Sequence, residues 1–171
     1  MGIVCVFTGN GKGKTSAAFG MAMRFLGHNK RVVVVQFLKG TKTGELLLKK
    51  NLPGLDILQF GTEYFVDLKN PSREDKQHAI EAVLYAKKIL TGPYKPDLLI
   101  LDEASVAVAS GLIDEDDLLE LVGLAAEGMN IVITGRDASE KLIAGADLVT
   151  EMKDIKHPFA KGKKAEEGIE Y

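Results

Sequence analysis

The residues whose spacing carries the most chemistry are Thr8-Gly9-Asn10-Gly11-Lys12-Gly13-Lys14-Thr15-Ser16. Gly13-Lys14-Thr15 completes the pattern of a phosphate-binding loop, a glycine, four residues, then Gly-Lys-Ser/Thr, with Thr8 standing where the first glycine is asked for. Gly9 and Gly11 still permit the tight turn. Such a loop surrounds an anion with successive backbone N–H groups, and a helix starting near Lys14 adds its positive dipole end. Lys14 brings a point charge to the phosphates, and Thr15 offers a hydroxyl to a magnesium ion. The expected nucleotide-binding residues are therefore Gly9, Asn10, Gly11, Lys12, Gly13, Lys14, Thr15 and Ser16. Lys12 is either a phosphate contact or a solvated loop charge.

A phosphate loop needs an acidic partner to place a metal. Leu98-Leu99-Ile100-Leu101-Asp102-Glu103 is an apolar run ending in two carboxylates. In open α/β sheets ligands gather at the carboxyl ends of the strands, so both motifs share one edge. A carboxylate there can hold Mg²⁺ directly or through water, or polarise a nucleophile. Read alone, the pair also suits the start of a following helix. Together the two motifs say a nucleoside triphosphate with Mg²⁺, and leave open which bond breaks.

These groups must be positioned by the elements between them. Ile3 to Thr8 reads as a first strand and Lys14 to His28 as a helix. Arg31 to Phe37, with four consecutive valines, reads as a strand buried on both faces. Thr43 to Asn51 is a short helix before Pro53, Leu55 to Phe60 a strand, and Gly61 to Ser72 a loop. Arg73 to Leu90 is an amphipathic helix, with Ile80, Val83, Leu84 and Leu90 expected on its apolar face and Gly92-Pro93 as its stop. Asp97 to Leu101 is a strand, Glu115 to Glu127 a helix, Asn130 to Thr134 a strand, Ser139 to Ala144 a short helix, and Asp147 to Met152 the last strand. Six strands alternating with helices predict an α/β fold: a parallel six-stranded sheet with helices on both faces, in a single domain over residues 1–171.

Composition narrows the class. The 171 residues carry 22 Lys+Arg against 24 Asp+Glu, so the basic footprint of a general nucleic-acid binder is missing. The single cysteine, Cys5, excludes an intrachain disulfide and fits a cytoplasmic location. No apolar run approaches the ~20 residues of a membrane span. No signal peptide or myristoylation pattern is expected at the start. From Met152 onward the chain loses periodicity, and composition alone is balanced between a mobile tail and an ordered segment.

The stretch Gly9 to Gly20, GNGKGKTSAAFG, is more specific than a generic phosphate loop and resembles the phosphate-loop type of ATP:corrinoid (cob(I)alamin) adenosyltransferase. Further stretches agree in order: VVQFLKG at Val34 to Gly40, TGE at Thr43 to Glu45, LILDE at Leu99 to Glu103, VITGR at Val132 to Arg136, ADLVTEM at Ala146 to Met152, KHPF at Lys156 to Phe159 and GIEY at Gly168 to Tyr171. The resemblance covers the whole chain. It implies a RecA-like phosphate-loop fold, a homodimer, and transfer of the adenosyl group of ATP to Co(I) of a reduced corrinoid with release of triphosphate. It further implies an electron donor such as a flavodoxin, and Mg²⁺ (or Mn²⁺) with ATP as co-substrate. Lys14 and Glu103 become the catalytic residues, Thr15 and Glu103 the metal-side residues, and Arg24 a nucleotide contact. The closing segment becomes ordered near the active edge, with His157 not expected to bind metal. Arg136 is a nucleotide or subunit contact, or a salt-bridged strand-end residue.

Two departures from the family pattern concern the corrinoid. The first strand begins at Ile3, so the N-terminal extension that helps cover the corrinoid is expected to be missing or supplied otherwise. The family's Phe and Trp after the third strand are also altered: Tyr64 aligns with the Phe, Val66 falls where the Trp would be, and the chain has no Trp. Tyr64 and Phe65 are the expected corrinoid wall, the alternative being that Tyr64, Phe65 and Val66 are loop anchors packed on the domain. Two other functions share these motifs: a phosphate-loop kinase or ATPase, and a non-catalytic nucleotide or corrinoid binding module. Arg24, Arg31, Arg73 and Arg136 do not cluster in sequence, which counts against a kinase lid.

Overall fold

The computed structural model describes residues 2–126, 128–158, 162 and 165–169. Six strands form one sheet: β1 (Val4–Thr8), β2 (Val32–Phe37), β3 (Leu55–Phe60), β4 (Leu98–Asp102), β5 (Asn130–Thr134) and β6 (Leu148–Glu151). Their order is β3-β2-β4-β5-β1-β6, and every pairing is parallel. The helices are α1 (Lys14–Gly27), α2 (Gly44–Leu48) with a 3-10 turn at Lys49–Asn51, α3 (Arg73–Thr91), α4 (Ala104–Ala109), α5 (Glu115–Ala126) and α6 (Glu140–Ala144). Among the described residues no helix is long and apolar enough to cross a membrane.

Side chains alternate across the sheet, so each inner strand serves two cores. Val33, Val35, Leu99, Leu101, Ile131 and Ile133 pack with residues of α3, α4 and α5 on one face. Val32, Val34, Leu98, Ile100 and Val132 pack with Ala18 and Ala22 of α1 on the other. The same alternation sends Gln36, one residue before the end of β2, and Asp102 and Thr134, which end β4 and β5, toward the α1 face. That parity is what brings them to the phosphate loop.

Helix α3 opens with a capping box: the Asp75 N–H donates to Ser72 Oγ at 3.1 Å, and the Ser72 N–H donates to Asp75 Oδ2 at 2.9 Å. Its buried stripe is Ala79, Ala82, Val83, Ala86 and Leu90, whereas Ile80 and Leu84 are exposed. The expected apolar face is thus rotated. Three alanines let the helix axis approach the sheet, and the two larger side chains fall outside the contact. The helix α4 has no counterpart in the sequence reading. Its Ala-Ser-Val-Ala-Val-Ala run has no helical period because four of its residues, Ala104, Ser105, Val106 and Ala107, are buried in succession.

Candidate active site

The phosphate loop leaves β1 at Thr8 and enters α1 at Lys14. Gly9 and Gly13 hold φ of +96° and +112°, which favours glycine at both turns. Gly9 and Gly11 have a second reason. A Cβ on either would stand 2.4 or 2.7 Å from the Met152 carbonyl, which accepts a 2.7 Å hydrogen bond from the Gly11 N–H. The end of β6 therefore braces the loop from outside. No acid lies in the first turn of α1, so nothing on the helix competes with an anion for its leading N–H groups. The Lys14 ammonium is folded into the loop, donating to the carbonyls of Gly9 at 2.7 Å and Gly11 at 2.8 Å. Burial lowers its pKa, against the opposing pull of Glu103 and Asp102.

Asp102 organises the floor beneath this loop. It is fully buried, and each oxygen accepts two donors. Oδ1 takes the hydroxyls of Thr15 at 2.8 Å and Thr134 at 2.7 Å; Oδ2 takes Gln36 Nε2 at 3.0 Å and Lys39 Nζ at 2.8 Å. Burial works to raise its pKa, but the Lys39 charge and the bonds from Lys39, Thr134 and Thr15 outweigh it and hold the carboxyl below the ordinary aspartate value. Lys39 lies 3.6 Å from Glu45 at the start of α2, and Gln36 Nε2 also donates to Glu45 at 3.1 Å. Gln59 of β3 donates to Gln36 Oε1 at 3.0 Å. Gln59, Gln36 and Asp102 stand side by side in register across β3, β2 and β4, forming one polar row at the carboxyl edge of the sheet.

Glu103 is disposed differently. Its φ is +62°, and its N–H donates to Thr134 Oγ at 3.0 Å. Its carboxyl pKa is raised, first by burial and then by the charge of Asp102, with Lys39, Lys14 and Arg136 pulling the other way. A carboxyl raised in the fold adds stability below its unfolded pKa and loses that contribution as pH rises through the folded value. The ionised form of Glu103 therefore opposes folding. Glu103→Gln is expected to raise Tm at pH 7–8, with the gain closing as pH falls toward ~4. Thermal scans across pH check this, and an unchanged or lower Tm at pH 8 contradicts it.

The structure thus brings Lys14, Thr15, Glu103 and the glycines together, with Asn10, Lys12 and Ser16 exposed around them. Arg136 is exposed after β5, near enough for its charge to act on Lys14 and Glu103. Arg24 is not brought in. It is exposed in the last turn of α1, ten residues beyond Lys14 and so ~15 Å along the axis at about 1.5 Å per residue. Tyr64 and Phe65 follow β3 at the same sheet edge and are 81% and 105% exposed; of that trio only Val66 packs on the core. Their loop is pressed against the Lys39 loop, because a Cβ on Gly40 would stand 2.4 Å from the Gly61 carbonyl. Of the closing segment, Phe159, Glu170 and Tyr171 lie outside the described residues.

Sequence reasoning recognised Asp102 only as half of an acidic pair, and missed Gln36, Lys39, Glu45, Gln59 and Thr134. A signal existed: Gln36 and Gln59 are polar residues one place before the end of largely apolar runs, VVVVQF and LDILQF, at corresponding positions.

Mg²⁺ suits this donor set. The Thr15 hydroxyl gives its one proton to Asp102, leaving its oxygen lone pairs for a cation, and Glu103 is a second hard oxygen donor. Mg²⁺ typically keeps several waters and takes one or two protein oxygens beside substrate phosphates. Asp102, with four donors, is the group behind Thr15.

Over residues 1–171 the sequence matches the family described as ATP:corrinoid adenosyltransferase BtuR/CobO/CobP. Relatives include the corrinoid adenosyltransferase of Escherichia coli K12, 38% identical over 99% of this chain and 86% of that protein. The corrinoid adenosyltransferase CobA of Salmonella typhimurium is 39% identical, again over 99% and 86%. The corrinoid adenosyltransferase of Pseudomonas aeruginosa is 37% identical over 99% and 84%. Among solved structures, the flagellar accessory protein FlaH of Methanocaldococcus jannaschii superposes with a TM-score of 0.58 at 17% identity, covering 88% of this chain and 70% of that one. That likeness is one of fold.

Proposed function

The chain belongs to the ATP:corrinoid adenosyltransferase family, and from that premise we propose how its residues divide the work of adenosyl transfer. In this reaction the Co(I) electron pair of the reduced corrinoid attacks C5′ of ATP. The Co–C5′ bond forms as the C5′–O bond breaks, the leaving triphosphate takes that bond's electron pair, and the cobalt becomes formally Co(III). The nucleophile arrives with the substrate, so the protein's tasks are alignment and stabilisation of charge on the leaving group.

The phosphate loop carries the second task. The loop N–H groups between Gly9 and Ser16, apart from that of Gly11, which is given to the Met152 carbonyl, line the triphosphate site with the Lys14 ammonium, and Lys14 exchanges its Gly9 and Gly11 carbonyl partners for phosphate oxygens. Thr15 and Glu103 would hold Mg²⁺, which would supply shielding of the triphosphate's negative charge. Lys12 and Arg136 add positive potential at the rim. Arg24 serves only a nucleotide that runs along α1. The observation that carries this reading is the saturated Asp102: by taking the Thr15 proton it leaves that hydroxyl's oxygen free to accept a cation.

Alignment of the corrinoid falls to the loop after β3. Tyr64 and Phe65 present two rings to solvent at the edge where C5′ must lie, as a wall for a flat apolar macrocycle does. Tyr64→Ala is expected to raise KM for the corrinoid about tenfold or more while leaving ATP affinity within about twofold, since loss of a buried ring contact costs on the order of 1–3 kcal/mol. An equal loss on both substrates would make Tyr64 a structural anchor.

The homodimer and the flavodoxin-type electron donor implied by the resemblance belong to this proposal and are tested by mass in solution and by reductant exchange. The decisive experiment is anaerobic incubation with ATP, Mg²⁺ and chemically reduced cob(I)alamin, followed by product analysis. Light-sensitive adenosylcobalamin together with triphosphate is expected. ADP and phosphate would mark a kinase or ATPase, and binding without product a carrier.

A further inference from the structure

The polar row at the sheet edge contains a lysine that no part of the phosphate loop requires. Lys39 stands two residues beyond β2, next to Leu38 at a φ of +59°. Its side chain is 24% exposed, and its ammonium sits 2.8 Å from Asp102 Oδ2 and 3.6 Å from Glu45 Oε1. Gln36 binds the same two acids, so Lys39 and Gln36 together clamp one oxygen of Asp102. The other oxygen is thereby fixed in rotation, and it is the one that receives the Thr15 proton. Which way the Thr15 lone pairs point is decided from this distance.

We propose that Lys39 is a positioning residue for metal-bound ATP, acting through Asp102 on the Thr15 hydroxyl rather than by touching the phosphates. This rests on the adenosyltransferase reading only in its choice of ATP as ligand. Three features support the indirect role. The carboxylate between the two residues is fully buried and lies in contact with both. The lysine is held from its other side by Glu45. Its loop is wedged, a Cβ on Gly61 standing 2.5 Å from the Lys39 N, so its backbone is not free to carry it toward the phosphate loop.

The test reads binding, not turnover. Affinity for ATP is measured by calorimetry at a series of Mg²⁺ concentrations for the wild type, Lys39→Gln, Thr15→Val and the double variant. Loss of an outer-shell partner typically costs 10–100-fold in metal affinity. Lys39→Gln is expected to shift the Mg²⁺ dependence of ATP binding at least tenfold, while metal-free ATP binding changes little. Lys39→Arg is expected to recover most of the shift. In the Thr15→Val background the Lys39 change is expected to add less than twofold, because the group it positions is gone. Additive effects overturn the proposal and make Lys39 a direct phosphate contact; an unchanged Mg²⁺ dependence overturns it as well. If Lys39→Gln fails to fold, the cycle is run with Lys39→Met, which keeps the length of the side chain and removes its charge, under the same criteria, the shift being required to vanish with Thr15. A wild type that binds MgATP but forms no adenosylcobalamin would refute the reaction and leave the cycle to be judged on its own.

Discussion

Lys14→Ala is expected to remove at least 10²–10³ of the turnover rate while the fold survives. Loss of one preorganised donor to developing charge costs about that much in enzymes that depend on it, and here the lysine carries a full charge. Its removal deletes two hydrogen bonds, to the carbonyls of Gly9 and Gly11. The loop remains pinned at both ends of its turn, by Gly11 N–H to Met152 O and Met152 N–H to Thr8 O. Alanine is also a good residue for the first turn of α1. Far-ultraviolet circular dichroism and Tm should therefore stay close to wild type while adenosylcobalamin formation falls. Unimpaired turnover would remove the phosphate loop from the reaction.

Asp102→Ala is expected to fail in the opposite way, by unfolding. The substitution strips Thr15, Thr134, Gln36 and Lys39 of an acceptor at once and leaves a lysine ammonium without its nearest counter-ion. Breaking a buried pair from one side costs about 3–5 kcal/mol, a large part of the ~5–15 kcal/mol that holds a domain folded. The pH dependence gives the sign. A carboxyl whose folded pKa is depressed contributes stability above its unfolded pKa, about 3.9 for aspartate, and loses it as pH falls through the lower folded value. Urea unfolding should thus show the full deficit at pH 7 and a narrowing one below pH 4. A variant as stable as wild type at pH 7 would mean that Asp102 carries no structural charge.

The contrast between these two residues shows what was legible in the sequence. The phosphate loop could be read because its glycines, lysine and threonine are contiguous and backbone geometry forces their spacing. β1, β2, β4 and β5 could be read because each is a short buried apolar run. β3 and β6 are more exposed, β6 along its whole length, and were legible from their short β-prone segments between turns. The floor of the site was hidden for the same physical reason that it works: Gln36, Gln59, Asp102 and Thr134 are one residue each, on four strands, and meet only through sheet register. Lys39 was hidden by a loop whose conformation is set by a close approach to Gly61. On α3 the misplaced Ile80 and Leu84 show that the buried stripe followed the alanines that permit close packing, not the largest apolar side chains.

Strand order has a consequence for the chain as the ribosome releases it. β1 is the first strand made, yet its neighbours are β5 and β6, the last two. While β2, β3 and β4 can pair as soon as residue 102 has emerged, Val4–Thr8 waits until residues 130–134 arrive. At ~5–20 residues per second that is several seconds with an apolar strand and its glycine loop unpartnered. Such a strand is a natural client for a holdase and a site of early aggregation. The phosphate loop is made before the other five strands of its sheet, and acquires the place to put a phosphate only once β4 and β5 have followed.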